Sequence, residues 1–211
     1  MSTLTGLAPD PRQPGYWLVE VDRGRFASLP AEALEPIPLA VGQELSSAVV
    51  ERLQELADIE AAYRAAMRAL AHRGHATRDL RRRLVQKQHP PAAADSALAR
   101  LAARGLLDDQ RFAVEYAASR AARGRGPSRL IKDLLAQGVD RRIAEAAVTR
   151  ALADEGLDPE REARAVAAKR AEQLADLPVP VRKRRLLAFL MRRGYAGPAV
   201  QNMIDELCRQ A

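Results

Sequence analysis

Apolar residues along most of this chain recur at spacings of three and four, the period of a helix with one buried face. Leu45, Val49, Leu53 and Leu56 mark such a face and predict a helix over 43–56. A second helix is expected over 58–73, stopped by Gly74. Beyond it the punctuation is regular. Thr77 opens a helix to about Lys87, Pro90-Pro91 one that ends near Gly105, and Asp108 one that ends at Gly124. Pro127 and Ser128 start the next, stopped by Gly138, and Asp140 caps one stopped by Gly156. Asp158-Pro159 opens a helix to about Asp176, a helix over 182–193 stops at Gly194, and Gly197-Pro198 opens the last, to about Arg209. Each boundary rests on a capping oxygen or first-turn Pro at the start, or a left-handed Gly at the end. Only the start of the chain departs from this pattern. Residues 16–21 and 25–29 have strand composition around an Asp22-Arg23-Gly24 turn, which predicts a small β-hairpin over 16–29. Residues 1–14, rich in Pro, Thr and Gly, read as disordered.

The helical part repeats. Leu80, Leu130 and Leu186 anchor three copies, and four residues on lie Leu84, Leu134 and Leu190, then Val85, Leu135 and Met191. Further columns are Ala94, Ala144 and Val200; Ala97, Ala147 and Met203; Leu98, Val148 and Ile204; and Leu101, Ala151 and Leu207. Eight residues after the anchor stand Gln88, Gly138 and Gly194, a helix stop in two copies. Seven apolar columns at fixed offsets, with matching caps, make an internal repeat the better explanation than chance in an Ala-rich chain. The expected fold is all-α, an elongated array of three tandem three-helix repeats over 58–106, 107–156 and 157–211, after an N-terminal extension over 1–57. Units of this size bury little alone and gain by stacking on neighbours.

Composition adds chemistry to this outline. Of 211 residues, 47% are hydrophobic and 29% charged, as in a folded soluble protein, while 4% aromatics leave the core to Leu, Ala and Val. The net charge of +7 divides into −6 over residues 1–60 and +13 over 61–211, so the repeats carry the positive field. Such a field attracts nucleic acid first, or an acidic protein surface. The single Cys208 excludes an internal disulfide framework and a thiolate metal cluster. No secretory signal opens the chain and no run approaches the ~18 apolar residues of a membrane span, so a cytoplasmic protein is expected.

The block Asp108-Asp109-Gln110-Arg111-Phe112-Ala113, with Gly124-Arg125-Gly126-Pro127-Ser128-Arg129-Leu130 at its distance, resembles the D-D-x-R-F-A region of the RecX family of recombinase regulators. Ala69-Leu70 through Leu84, with His75, Thr77 and Leu80, is similar to that family's A-L…R-x-x-S-x-x-E-L-x-x-K-L region, with Thr77 where Ser is usual and Asp79 where Glu is common. His89-Pro90-Pro91 replaces the Gly-centred turn of the first repeat. The resemblance covers about 58–211 and implies tandem three-helix repeats and no enzymatic activity. It implies a negative modulator that binds the RecA–DNA nucleoprotein filament and inhibits its ATPase, strand-exchange and coprotease activities, in regulation of DNA repair, recombination and the SOS response. The implied partners are the RecA filament and single-stranded DNA, with double-stranded DNA second. A monomer without cofactor, metal or membrane is expected. The alternative is a helix-turn-helix-like DNA-binding regulator, which three-helix units can also suggest.

Candidate contacts are basic. Arg78, Arg81, Arg82 and Arg83 cluster on the second helix of the first repeat. Arg120, Arg123, Arg125, Arg129 and Lys132 line the second, and Arg182, Lys183, Arg184 and Arg185 hold the corresponding place in the third. A basic track through three repeats could follow a filament groove or the nucleic acid within it, each neutralised phosphate adding to the salt dependence. Asp108 and Asp109, with Arg111, are read as a helix cap or structural pairing, and Phe112 with Tyr116 as core between repeats. His72 and His75 lack further ligands for a metal. Gly124-x-Gly126 is no phosphate loop, and no nucleophile–base set supports catalysis.

Overall fold

The computed structural model describes residues 2–209; residues 1, 210 and 211, which the expected domain boundaries include, lie outside those described. The order is β1 (Ser2–Pro9), β2 (Tyr16–Val21), β3 (Gly24–Pro30), α1 (Ala31–Leu34), β4 (Glu44–Leu45) and then helices only. These are α2 (Ser47–His72), α3 (Thr77–Gln86), α4 (Pro91–Ala103), α5 (Asp109–Ala121), α6 (Pro127–Ala136), α7 (Arg141–Asp154), α8 (Pro159–Glu172), α9 (Val179–Arg193) and α10 (Pro198–Arg209).

The N-terminal sheet is larger than the expected hairpin. Strands β2 and β3 form that hairpin, with Asp22 and Arg23 at positive φ in its turn. Residues expected to be disordered instead supply β1, so the sheet runs β3-β2-β1-β4, all antiparallel. Leu4, fully buried, joins Val19 and Leu29 in its core. Buried Asp10 ties the end of β1 to β3: its carboxylate accepts from the Ser28 hydroxyl at 2.6 Å and from the Arg12 amide at 2.9 Å. The Ser28 bond, then the Arg12 amide, hold this carboxyl below its usual range.

The two helices expected before His72 are one. Ser46 caps α2, its hydroxyl accepting from the Val49 amide, and the helix runs 26 residues across the expected boundary at 57/58. Asp58 reads as a start signal, but here it is a mid-helix residue accepting from Gln54. The first half of α2 gives Leu53 and Leu56 to the sheet core; the second half gives Ala62, Tyr63, Ala65 and Ala66 to the core of α3 and α4.

The chain divides into two compact units. One runs through Gly74 and takes in Leu80–Leu107; the other takes in His75–Asp79 and everything from Asp108 onward. The second unit holds two cores, one of α5, α6 and α7 with Ala76, and one of α8, α9 and α10. The repeat columns fill these two cores and that of the first repeat: Leu80, Leu84, Leu130, Leu134, Leu186 and Leu190 are each at most 2% exposed. One column departs, for Val85 and Met191 are 36% and 58% exposed.

Candidate functional site

Counter-charges from within each repeat divide the basic residues. In the first compact unit, Arg81, Arg82 and Arg83 are exposed on α3. Arg81 lies side-on to Asp95 of α4, at 2.5 and 2.8 Å, and the hydrogen bond to Arg81 holds the Asp95 carboxyl below its usual range. Behind it, Arg100 of α4 bonds the buried Glu60 of α2 and donates to the Tyr16 hydroxyl of β2 at 2.9 Å, stacking 4.1 Å over the Tyr63 ring. That cation joins the sheet to the helices rather than facing a partner.

In the second unit, Arg125 and Arg129 share Asp133, at 2.5 and 2.9 Å. Lys183 of α9 pairs with Asp205 of α10 at 2.6 Å and holds that carboxyl low, chiefly by its hydrogen bond. Arg120 stacks 3.9 Å over the Tyr116 ring, which lies 5.9 Å from Phe112. Arg182 leaves the exposed set altogether: it is 3% exposed and donates to the Cys208 carbonyl at 3.0 Å. Arg78, Arg123, Lys132, Arg184 and Arg185 are exposed and form no ion pair among the described residues. Sequence reasoning missed the three aspartates. Asp133 is legible as the i+4 partner of Arg129; Asp95 and Asp205 come from the next helix and carry no such signal.

The Asp-Asp motif joins helices. Asp108 caps α5, accepting from the Gln110 and Arg111 amides at 2.8 and 3.0 Å. Asp109 turns to another helix start: one oxygen accepts from the Thr77 amide at 2.8 Å and the Thr77 hydroxyl at 2.9 Å. Thr77, expected as a cap, is the first residue of α3 and is itself held by a residue 32 positions on. Beside it His75 Nδ1 sits 3.0 Å from Asp79 Oδ2, both side chains buried. Phe112 is half-buried against the α5–α7 core, while Arg111 is exposed.

The glycines eight residues after the anchors meet the preceding repeat. A Cβ on Gly138 would overlap Arg78 at the start of α3; one on Gly194 would overlap the backbone and Cβ of Arg129 at the start of α6. Both sit at positive φ, 85° and 92°, but so does Gln88 at 65° in the first repeat. The left-handed turn alone therefore tolerates a side chain; the close approach of a neighbour requires glycine. Gly126 completes the second contact, its amide donating to the Arg193 carbonyl at 2.7 Å.

Helices joined in this way, with cations left on their outer faces, define a class: a tandem three-helix repeat protein with a basic surface. Family models for the first, second and third three-helix domains of RecX match residues 62–101, 108–148 and 158–204. Regulatory protein RecX of Halorhodospira halophila is 37% identical over 145 residues, 67% of this chain and 85% of that protein. The Pseudomonas syringae pv. tomato protein of the same name is 36% identical, over 63% of this chain and 82% of its own length. The chain belongs to the RecX family. The crystal structure of a regulatory protein RecX shares the fold with a TM-score of 0.76 at 17% identity, covering 98% of this chain and all of that one. RecX from Lactobacillus salivarius gives 0.60 at 20% identity, covering 71% of this chain and 96% of that one.

Proposed function

We propose that the chain is a negative modulator of the RecA recombinase, binding the RecA–DNA filament and inhibiting its ATPase, strand-exchange and coprotease activities. The observation that supports this reading is the set of exposed, unpaired cations Arg123, Lys132, Arg184 and Arg185, on a chain whose relatives are regulatory proteins. A guanidinium with no internal carboxylate can neutralise phosphate without first breaking an ion pair. Arg81, Arg125, Arg129 and Lys183 must exchange an aspartate for the partner, so they contribute less. Arg82 and Arg83 extend the surface in the first unit. Among the described residues no helix is long and apolar enough to cross a membrane, and the proposed site of action is the cytoplasm, as a monomer.

A binder shifts an equilibrium only by its differential affinity for the states. Inhibition therefore requires tighter binding to a filament form, or a filament end, that turns over slowly. Single-strand-DNA-dependent ATP hydrolysis by RecA is the test, with this protein added below stoichiometry. A fall is expected. Arg184→Ala with Arg185→Ala should weaken it and lower the log–log salt slope of binding by about one per lost phosphate contact. Unchanged hydrolysis together with tight binding to bare duplex DNA would replace this reading with a helix-turn-helix-like regulator.

A further inference from the structure

Within the second compact unit a cavity of about 430 Å³ opens among Ser128, Pro159, Arg161, Tyr195, Ala199 and Val200. Two helices begin on it with the same dipeptide, Gly126-Pro127 for α6 and Gly197-Pro198 for α10. Neither glycine offers a capping side chain, and proline has no amide hydrogen. The amides of Ser128, Ala199 and Val200 therefore donate to no acceptor among the described residues. Such first-turn amides are fixed donors at the positive end of a helix dipole. Helix α8 also starts here, but its Asp158 carboxylate already accepts from the Glu160 amide at 3.0 Å.

An independent observation concerns Tyr195. It is 5% exposed and lines the cavity, and its hydroxyl has no hydrogen-bond partner among the described residues. Burial first, then the charge of Glu162, raises its pKa, so the group remains an O–H donor. The oxygen itself is not among the buried unpaired atoms, and an unpaired donor that solvent still reaches is a place for water or a ligand. Arg161 is exposed at the cavity without an ion pair, while Arg164 is held by Glu206 at 2.8 Å. Glu160 stands exposed at the rim, its carboxylate free to turn to solvent.

We propose that this cavity binds a phosphate group, held by the amides of Ser128, Ala199 and Val200 and the Tyr195 hydroxyl, with the Arg161 guanidinium as counter-charge. Its volume leaves room for the sugar or ester that carries the phosphate. The phosphate can come from a free nucleotide or from a nucleic-acid backbone.

Amide spectra of the full chain, titrated at constant ionic strength with inorganic phosphate, adenosine monophosphate and a single-stranded oligonucleotide, decide the matter. Shifts at Ser128, Ala199 and Val200 should saturate with inorganic phosphate. Tyr195→Phe should weaken binding by about fivefold, the loss of one neutral hydrogen bond. Ser128→Asp puts a carboxylate at an exposed first-turn position, where it supports the helix, and should abolish the saturable response with the fold intact. Saturation by the oligonucleotide at the same amides assigns the site to backbone phosphate; saturation by the monophosphate without it assigns a free nucleotide. A non-saturating drift, or unchanged affinity in Ser128→Asp, overturns the site. No recombinase enters this measurement, so its failure and that of the filament reading are separate outcomes.

Discussion

The start of α3 and the start of α6 meet the following repeat in the same way and are closed by different chemistry. In both, a glycine ending the second helix of one repeat lies against the first turn of the second helix before it: Gly138 on Arg78, and Gly194 on Arg129. At the first contact a side chain seals the joint, Asp109 taking both donors of Thr77. At the second contact the equivalent first-turn positions are Pro159 and Pro127, whose rings offer neither a side-chain acceptor nor an N–H donor, and the backbone bond from Gly126 to Arg193 takes over. The cavity lies beside that second contact, lined by both prolines. One packing geometry thus gives a sealed joint or an open one according to two residues.

The largest effect on these two contacts is expected from Gly194→Ala. Adding a Cβ at positive φ costs about 1 kcal/mol, and overlap with the backbone of Arg129 adds about 1–3 kcal/mol. Gly156→Ala is the control, with φ of 61° and open space around it. Urea denaturation should show the control losing only about 1 kcal/mol; equal losses would mean that the neighbour's approach does not matter. Next in size is Asp109→Ala, which leaves the Thr77 amide uncapped and should cost about 1–2 kcal/mol. Faster hydrogen exchange at Thr77, with Asp109→Asn largely protected, would locate that loss at the joint.

The chemistry of the first joint can be grafted onto the second. Pro127→Thr combined with Pro159→Asp recreates the pair that seals the first contact. A double-mutant cycle should give a favourable coupling of about 1 kcal/mol; additive effects would show that the second contact holds these positions too far apart. The smallest effect belongs to the ion pairs on the outer faces. Asp95 and Asp205 have folded-state pKa values lowered by Arg81 and Lys183. Their support is therefore present above the ordinary carboxylate range and fades as pH falls through the lowered values. Lys183→Met should be slightly less stable than the wild type near neutrality, and the difference should vanish in acid.

The repeat was legible because its period is long and its punctuation strong: the anchor leucines and the Asp108, Asp140 and Asp158 caps stand where spacing and cap chemistry put them. Apolar period reports which face could be buried, not what covers it, so Val85 and Met191 entered a core column and emerged on the surface. The same period held an unused signal about Arg182. Four residues before each anchor stand Ala76, Gly126 and Arg182, all buried, so the arginine lies on the packed stripe with Leu186 and Leu190. Among the candidate contacts, Asp109 could be recognised as structural, but its partner 32 residues earlier could not, because a cap donated across helices leaves no local spacing. Strand β1 was hidden by its Pro, Thr and Gly content, since its support comes from neighbouring strands rather than from an apolar pattern of its own.

The shared helix α2 has a consequence for how the molecule opens. A 26-residue helix is a rod of about 39 Å, and its two ends belong to different cores, with Glu60, Arg100 and Tyr16 bolted across its middle. Loosening the sheet exposes Leu53 and Leu56 and strains the same rod that carries Tyr63 and Ala66. The sheet and the first repeat should therefore exchange their amide hydrogens as a single cooperative block rather than fray in sequence from the N-terminus. A chain begun at residue 58 would start within that rod and lose the block's anchor, which makes the acidic N-terminal region part of the first repeat's stability.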